Sequence, residues 1–487
     1  MITLLFCVAC CAHAEAQTLK TIHVDLSNYT PGVIPFGIGD PVKEARNIAD
    51  AWEKLHPGCR IVFQQMINSG TTEGEWLKTQ LIGGIAPEIV TMNTETAWQA
   101  IDKDWFIPLD PFFERPNSYI PGNRHWMDSF ENPALTNSKR APNGKLYCLT
   151  LDTVETGWYC NLTLLRKLGI NKVPETWDEM ERVFKIIQDA KITPMTCQVN
   201  MASDWGHDII FEMIYHNLLP QLDMVPTPDD AKAYEEYFLD PPEAGFLFTK
   251  GFFSSRDPRW RETQRILKDW RKYWAKELKF TDALRLFLTG RLAILWDGSW
   301  SIRRMALDPY IDFEWTVGYL PAITSATSKY ACGSPATLIG GAGTQIHVTN
   351  SARINNCLEE CIDFMMYLST PQNMERIANE ALMFMPNVKG AKMDPRLAPF
   401  GEVVKRKSCA IQWLESLDPE YKKVWRRWLD YYLADGFGLD DYLKVLDDNF
   451  AAWVKSHEND KAWNFAAMEP TWQSRKELLL RELDPPK

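Results

Sequence analysis

Alternation opens the readable part of the chain. In "LKTIHVDLS", residues 19–27, apolar and polar positions trade places with a period of two, the signature of a half-buried strand. The period then lengthens. Val42, Ala45, Ile48, Ala49, Trp52 and Leu55 recur at three- and four-residue spacing, which predicts one apolar face of a helix. Asp40-Pro41 reads as its cap and first-turn proline, and "HPG" stops it. "CRIVFQQ" predicts the next strand, and Thr72 with Glu75 a capping box for a second helix ending at Gly83-Gly84. "PEIVTM" is a short buried strand. Strands and helices in alternation predict a parallel sheet covered by helices, an α/β fold.

The pattern continues past residue 140. "NGKLYCLTLDTVETGWYCN" gives a turn and two extended runs. Thr176 and Glu179 form a capping box for a helix whose face is Trp177, Met180, Val183, Phe184 and Ile187. "KITPMTCQVN", "LAILW", "FEWTVGYLP" and "TQIHV" read as strands, with an insertion of short helices over 221–260. The segment from about 402 onward is tryptophan-rich and helical. No internal repeat and no low-complexity tract appears.

Composition narrows the partners. A net charge of -11 on 487 residues argues against a nucleic-acid partner, which needs a basic face. Twenty tryptophans are the compositional oddity. Most must fill the core, but a few can act as flat faces for sugar rings, since a C–H face packs well on a π-surface. Ile2 to Ala12 has signal-peptide length, with small-residue cleavage sites at "AHAEAQ". "CVAC" makes Cys10 a candidate for lipidation. The expectation is export, to a periplasmic or lipid-anchored location. There is no CxxC, and disulfide pairing stays open; Cys357 and Cys361 read as small core residues.

Motifs for chemistry are sparse. The chain holds no GxxxxGK[ST], no HExxH and no GxSxG, and no GxGxxG follows a strand. Asp204, His207, Glu212 and His216 are conceivable metal ligands, but His207 and His216 are nine apart, off a shared helical face, so they read as solvated or core-edge residues and neither metal nor cofactor is expected. Paired carboxylates for glycan cleavage leave no sequence signature, so a glycan-acting hydrolase or lyase remains the alternative.

Seven stretches in order carry a family resemblance: "IADAWEKLHPGCRIVFQQ", "WLKTQLIGGIAPEIVTMN", "GKLYCLTLDTVETGWYCN", "LGINKVPETWDEM", "FLTGRLAILWDGSW", "WTVGYLP" and "EECIDFMMYLSTPQNMERI". Together they resemble the sugar-binding group of extracellular solute-binding proteins of ABC importers, over roughly residues 20–390. Glu88, Thr150 and Cys160 stand where that family commonly has Asp, Pro and Tyr. The resemblance implies a two-lobe periplasmic-binding-protein-like fold with a ligand cleft between lobes joined by hinge crossings. It implies no catalysis. The protein would be a monomer that captures a sugar or oligosaccharide and hands it to a membrane permease; a surface glycan receptor without a permease is a third reading. Residues 1–17 are then the signal, 18–150 plus 294–340 the N-terminal lobe, and 151–293 plus 341–487 the C-terminal lobe with its helical tail.

Site candidates follow from strand ends and polar chemistry. Trp300 closes the "WDGSW" turn and, by resemblance, stacks on a sugar, with Asp297 as a charged acceptor beside it and Trp296 as a second aromatic. Asn93 and Glu95 follow the "PEIV" strand and fit either hydroxyl binding or helix capping. Asp152, Glu155 and Trp158 lie on the expected hinge crossing, where Trp158 also fits a core position. Asn200, Asp204 and Trp205 follow the matching second-lobe strand.

Overall fold

The structure, a computed structural model, describes residues 19–65, 73–98, 103–141, 143–197, 204–232, 237–275, 280–334, 340–401, 411–460 and 463–483. The strands are β1 (Lys20–Val24), β2 (Cys59–Phe63), β3 (Ile89–Thr91), β4 (Cys148–Thr150), β5 (Asp152–Asn161), β6 (Thr193–Cys197), β7 (Leu292–Gly298), β8 (Trp315–Gly318), β9 (Gly340–Ala342), β10 (Gln345–Val348) and β11 (Met385–Pro386). They form two sheets, and each sheet organises one lobe.

The first sheet has the order β2-β1-β3-β10-β4. Its β1, β2 and β3 run parallel, as the alternation of strand and helix predicts, while β10 is antiparallel to both β3 and β4. The Glu44–Leu55 helix covers it and buries Ala45, Ile48, Ala49 and Trp52. Burying one such aliphatic side chain, Ile48 for instance, contributes about 1.5–3 kcal/mol. That helix starts later than Asp40-Pro41. The Glu380 carboxylate accepts from the amides of Lys43 and Glu44, at 3.0 and 2.8 Å, and so supplies the cap from a distant helix. Thr72 of the expected second capping box lies outside the described residues. The Thr176–Glu179 box is present at the start of the Trp177–Asp189 helix.

The second sheet has the order β11-β5-β7-β6, with β8 and β9 also pairing with β5. Its ten-residue strand β5 is the longest among the described residues and is buried along nearly its whole length. Trp158, Phe184, Trp270 and Trp296 fill the core behind it. Ten tryptophans are fully buried, so the excess of this residue is mainly core.

Sheet and core membership departs from the expected lobe boundaries at three places. Strands β7 and β8, within or across 294–340, belong to the second sheet, and β10, expected in the C-terminal lobe, belongs to the first. The helices Leu358–Leu368 and Pro371–Ala381 likewise pack in the first-lobe core, with Cys357 and Cys361 buried there and their sulfurs 4.0 Å apart. The reason is physical. A short buried strand has the same hydrophobic pattern in either sheet, so periodicity finds β10 without saying which neighbours it pairs with. The segment 411–483 joins the second-lobe core through Trp413, Trp425, Phe450 and Trp453.

Crossings between the sheets are pinned rather than loose. Leu151 links β4 to β5, and its amide donates to the Thr344 carbonyl at 3.1 Å on the neighbouring crossing between β9 and β10. A small third cluster packs Tyr159, Leu295 and Met385 of the second sheet with Leu135, Ile302 and Leu382 from the connecting segments. Among the described residues no helix is long and apolar enough to cross a membrane.

Candidate functional site

Strand β7 ends in the turn that carries Trp300. Asp297 is fully buried and organises it: the carboxylate accepts from the Gly298 amide at 2.8 Å and from the Ser301 hydroxyl at 2.6 Å. Asp297 is therefore the scaffold of the turn and has no exposed surface to offer a ligand. Gly298 is required by contact. A methyl group there would lie 2.2 Å from the Trp300 ring, which folds back over it. "WDGSW" thus has a local logic of its own: Asp ties the turn, Gly admits the ring, and Trp300 is left half-buried against the first-lobe core.

The opposing wall comes from the second lobe. Asp204 and Trp205 form a π-helical turn that leads into the Gly206–Tyr215 helix, and such turns are frequent at functional sites. Trp205 is half-buried and packs on the second-lobe core. Its ring meets that of Trp300 edge-to-face, with centroids 6.4 Å apart and planes at 64°. Two tryptophans anchored in different lobes therefore converge on one point. Gly206 lets the helix sit this close: a methyl group there would come within 2.7 Å of Trp270.

The other candidates separate into four groups. Trp158 and Trp296 face each other across β5 and β7 and are completely buried, stacked among Phe184 and Trp270. The structure makes both core residues: the pleat turns Trp158 and Trp296 into the second-lobe core and sends Tyr159 and Leu295, one residue along, into a separate buried cluster. Asp152 and Glu155 are also buried, on the crossing. Asp152 accepts from the Tyr29 hydroxyl at 2.7 Å and the Thr344 amide at 2.6 Å, which staples the two crossings together. Burial pushes its pKa up to about 6, against the lowering effect of those bonds. Glu155 accepts from the Thr156 amide at 2.9 Å. Asn93 is exposed at the carboxyl end of β3, where its carbonyl begins the Thr94–Trp98 helix. Glu95 lies on that helix, and its side chain is outside what is described; Asn200 lies outside the described residues altogether. Asp204 is buried and ion-paired with Arg426 of the Pro419–Leu433 helix.

Sequence reasoning missed two arginines. Arg303, three residues after Trp300, is buried and bonds only carbonyls: Ile38 at 2.7 Å, Asp40 at 2.9 Å, Glu380 at 2.6 Å and Ala381 at 3.2 Å. It ties the Trp300 turn to the C-terminal end of the Pro371–Ala381 helix, whose dipole favours a cation. Nothing in local periodicity marks it. Arg426 sits in the tail, where the resemblance had faded. Of the imagined metal ligands, His207 is a neutral core residue: burial drives its pKa down to about 3, and its Nε2 meets Gln264 at 2.8 Å. No metal-holding cluster of acidic, cysteine or histidine residues occurs among the described residues.

Comparison with known proteins fits this geometry. The family model for bacterial extracellular solute-binding proteins matches residues 39–374. The multiple sugar-binding protein of Streptococcus mutans is 23% identical over 342 residues, covering 68% of this chain and 69% of that protein. The structure of a chitin oligosaccharide binding protein superposes with a TM-score of 0.60 at 16% identity, covering 89% of this chain and 99% of the other. The solute-binding protein RafE in complex with raffinose gives 0.59 at 16% identity, with the same coverage.

Proposed function

The chain belongs to the bacterial extracellular solute-binding protein family, and from that premise we propose that it captures a neutral sugar or oligosaccharide between its lobes and delivers it to an ABC-type membrane permease. One observation carries the sugar reading. Trp205 and Trp300 are half-buried, come from different lobes and converge edge-to-face. Partly exposed aromatic faces beside polar groups suit a ring that is apolar on its faces and polar at its rim. The relatives' names support the same class of ligand, as a multiple sugar-binding protein, a chitin oligosaccharide binding protein and a raffinose complex.

The mechanism follows from how each tryptophan is held. Trp300 rides with the first lobe and Trp205 with the second. A ligand entering between them makes contacts that only the closed arrangement offers in full, so it shifts the hinge equilibrium toward closure. The β4–β5 and β9–β10 crossings are where the chain passes between the sheets, and the Asp152 staple keeps them in register while the lobes move. No bond is made or broken in the ligand. The protein works as a monomer outside the cytoplasm, and Cys10 is the proposed point of lipid attachment.

The test is binding with recovery. Purified protein is titrated calorimetrically with mono- and oligosaccharides, and the bound sugar is released and chromatographed. Saturable binding with unchanged sugar supports the reading. Cleaved sugar would move the protein to the hydrolase or lyase alternative.

A further inference from the structure

The segment beyond residue 374 lies outside the family match, yet it reaches the candidate cleft. Three of its contacts land on the first turn of the Gly206–Tyr215 helix and the residue pair before it. Arg426 pairs with the Asp204 carboxylate. The Trp425 ring meets the His207 ring edge-on at 5.3 Å. The Trp413 amide donates to Asp208 Oδ1 at 3.2 Å. Trp205, the second-lobe half of the tryptophan pair, directly follows the first of these residues in the chain and precedes the other two.

Arg426 is the contact with polar chemistry to spare. Its side chain is 35% exposed, whereas its partner Asp204 is 5% exposed, so the pair straddles the boundary between core and solvent. Its Nε is buried and has no hydrogen-bond partner. Asp430, one turn further along the same helix, feels both groups: burial and the nearby Asp204 charge raise its pKa, and Arg426 and Arg271 oppose that. The Arg426 charge is thus matched by a carboxylate, which suits a neutral polyol rather than an anion.

We propose that the C-terminal helical segment is part of the binding machinery, with Arg426 as a positioning residue that fixes Asp204 and Trp205 as the second-lobe jaw for a neutral, hydroxyl-rich ligand. The ligand class rests on the sugar-binding reading; the positioning role does not. Arg426 acts by geometry. Its guanidinium holds the Asp204 carboxylate at the mouth of the π-helical turn, and the turn sets the direction of the Trp205 ring. Loss of the guanidinium removes the counter-charge from a buried carboxylate, and the turn relaxes.

The test uses the full chain and three variants: Arg426→Gln, Arg426→Lys and, as a control, Arg261→Gln. Arg261 pairs with Asp440 at 2.7 Å, also between the tail and the second lobe, but there the carboxylate is exposed. The first readout needs no ligand: amide hydrogen exchange of residues 204–210. The expected result is exchange at least tenfold faster in Arg426→Gln, near wild type in Arg426→Lys, and unchanged in Arg261→Gln. The second readout is affinity for any panel sugar that binds the wild type. It is expected to weaken at least tenfold in Arg426→Gln, with the ligand-free melting temperature within a few degrees of wild type. Unchanged exchange in Arg426→Gln, or an equal change in Arg261→Gln, would overturn the proposal. If no sugar binds the wild type while exchange responds as stated, the sugar reading fails and the positioning role stands.

Discussion

Replacing Arg303 by methionine removes a buried cation that holds the Trp300 turn to the first lobe. Four carbonyls lose their donor, three of them at 2.9 Å or less. Hydrogen bonds to charged groups contribute about 1.5–3 kcal/mol each, so the three short bonds alone are worth about 4.5 kcal/mol at the low end. Part of this is offset, because methionine also removes the desolvation cost that lowers the arginine's pKa. The net loss comes to about 3 kcal/mol. Lysine is expected to recover less than half, since a single ammonium cannot fork to carbonyls on two separate segments. Urea unfolding checks this: the midpoint should fall while the slope stays constant. A loss below about 1 kcal/mol would refute the reasoning, by showing that the carbonyls find other donors.

Three further outcomes follow from the same geometry. Gly298→Ala places a methyl group 2.2 Å from the Trp300 ring, so sugar binding should weaken at least tenfold in calorimetry while far-ultraviolet circular dichroism stays native. Glu380→Ala strips the cap from the Glu44–Leu55 helix and should cost about 1 kcal/mol by urea unfolding. Glu243 is buried beside Asp240, and these two effects push its pKa up to about 8. The folded state therefore keeps a proton that the unfolded state has lost, and stability falls as pH rises through this window. Asp152 and Asp257 titrate near 6 and His207 near 3. Between pH 6.5 and 8 Glu243 thus dominates among these groups, and wild type should lose about 2 kcal/mol that Glu243→Gln keeps.

Much of the fold was legible because its elements announce themselves locally. The Thr176 capping box and the apolar face that follows it are a local code, and the structure reproduces them. The first helix was legible by its face but not by its start, because its cap is the side chain of Glu380, more than 300 residues away. Lobe membership of β10 was not legible for the same reason: pairing is non-local, and four buried residues fit either sheet. At the site, Trp300 and Trp205 could be picked out by their place after strand ends. Trp158 and Trp296 have the same chemistry but sit within strands that are covered on both faces, which no local pattern reveals. Asp297 and Asp152 are expected from sequence to bind the ligand, but both are fully buried and accept from backbone amides, the Ser301 hydroxyl and the Tyr29 hydroxyl. Arg303 and Arg426 act across 77 and 222 residues of chain, beyond the reach of any periodicity.

The central claim is that Trp205 and Trp300 are the two halves of one sugar clamp. The most direct measurement is a thermal-shift screen of residues 18–487 against mono- and oligosaccharides, run in parallel on Trp300→Ala and Trp205→Ala. A ligand that binds only the folded state stabilises it by about 2.7 kcal/mol at a hundredfold excess over Kd. The account predicts that one class of sugar raises the melting temperature of the wild type and that each single substitution abolishes most of the rise. A well-folded wild type that responds to no sugar, or variants that respond as fully as wild type, would contradict it.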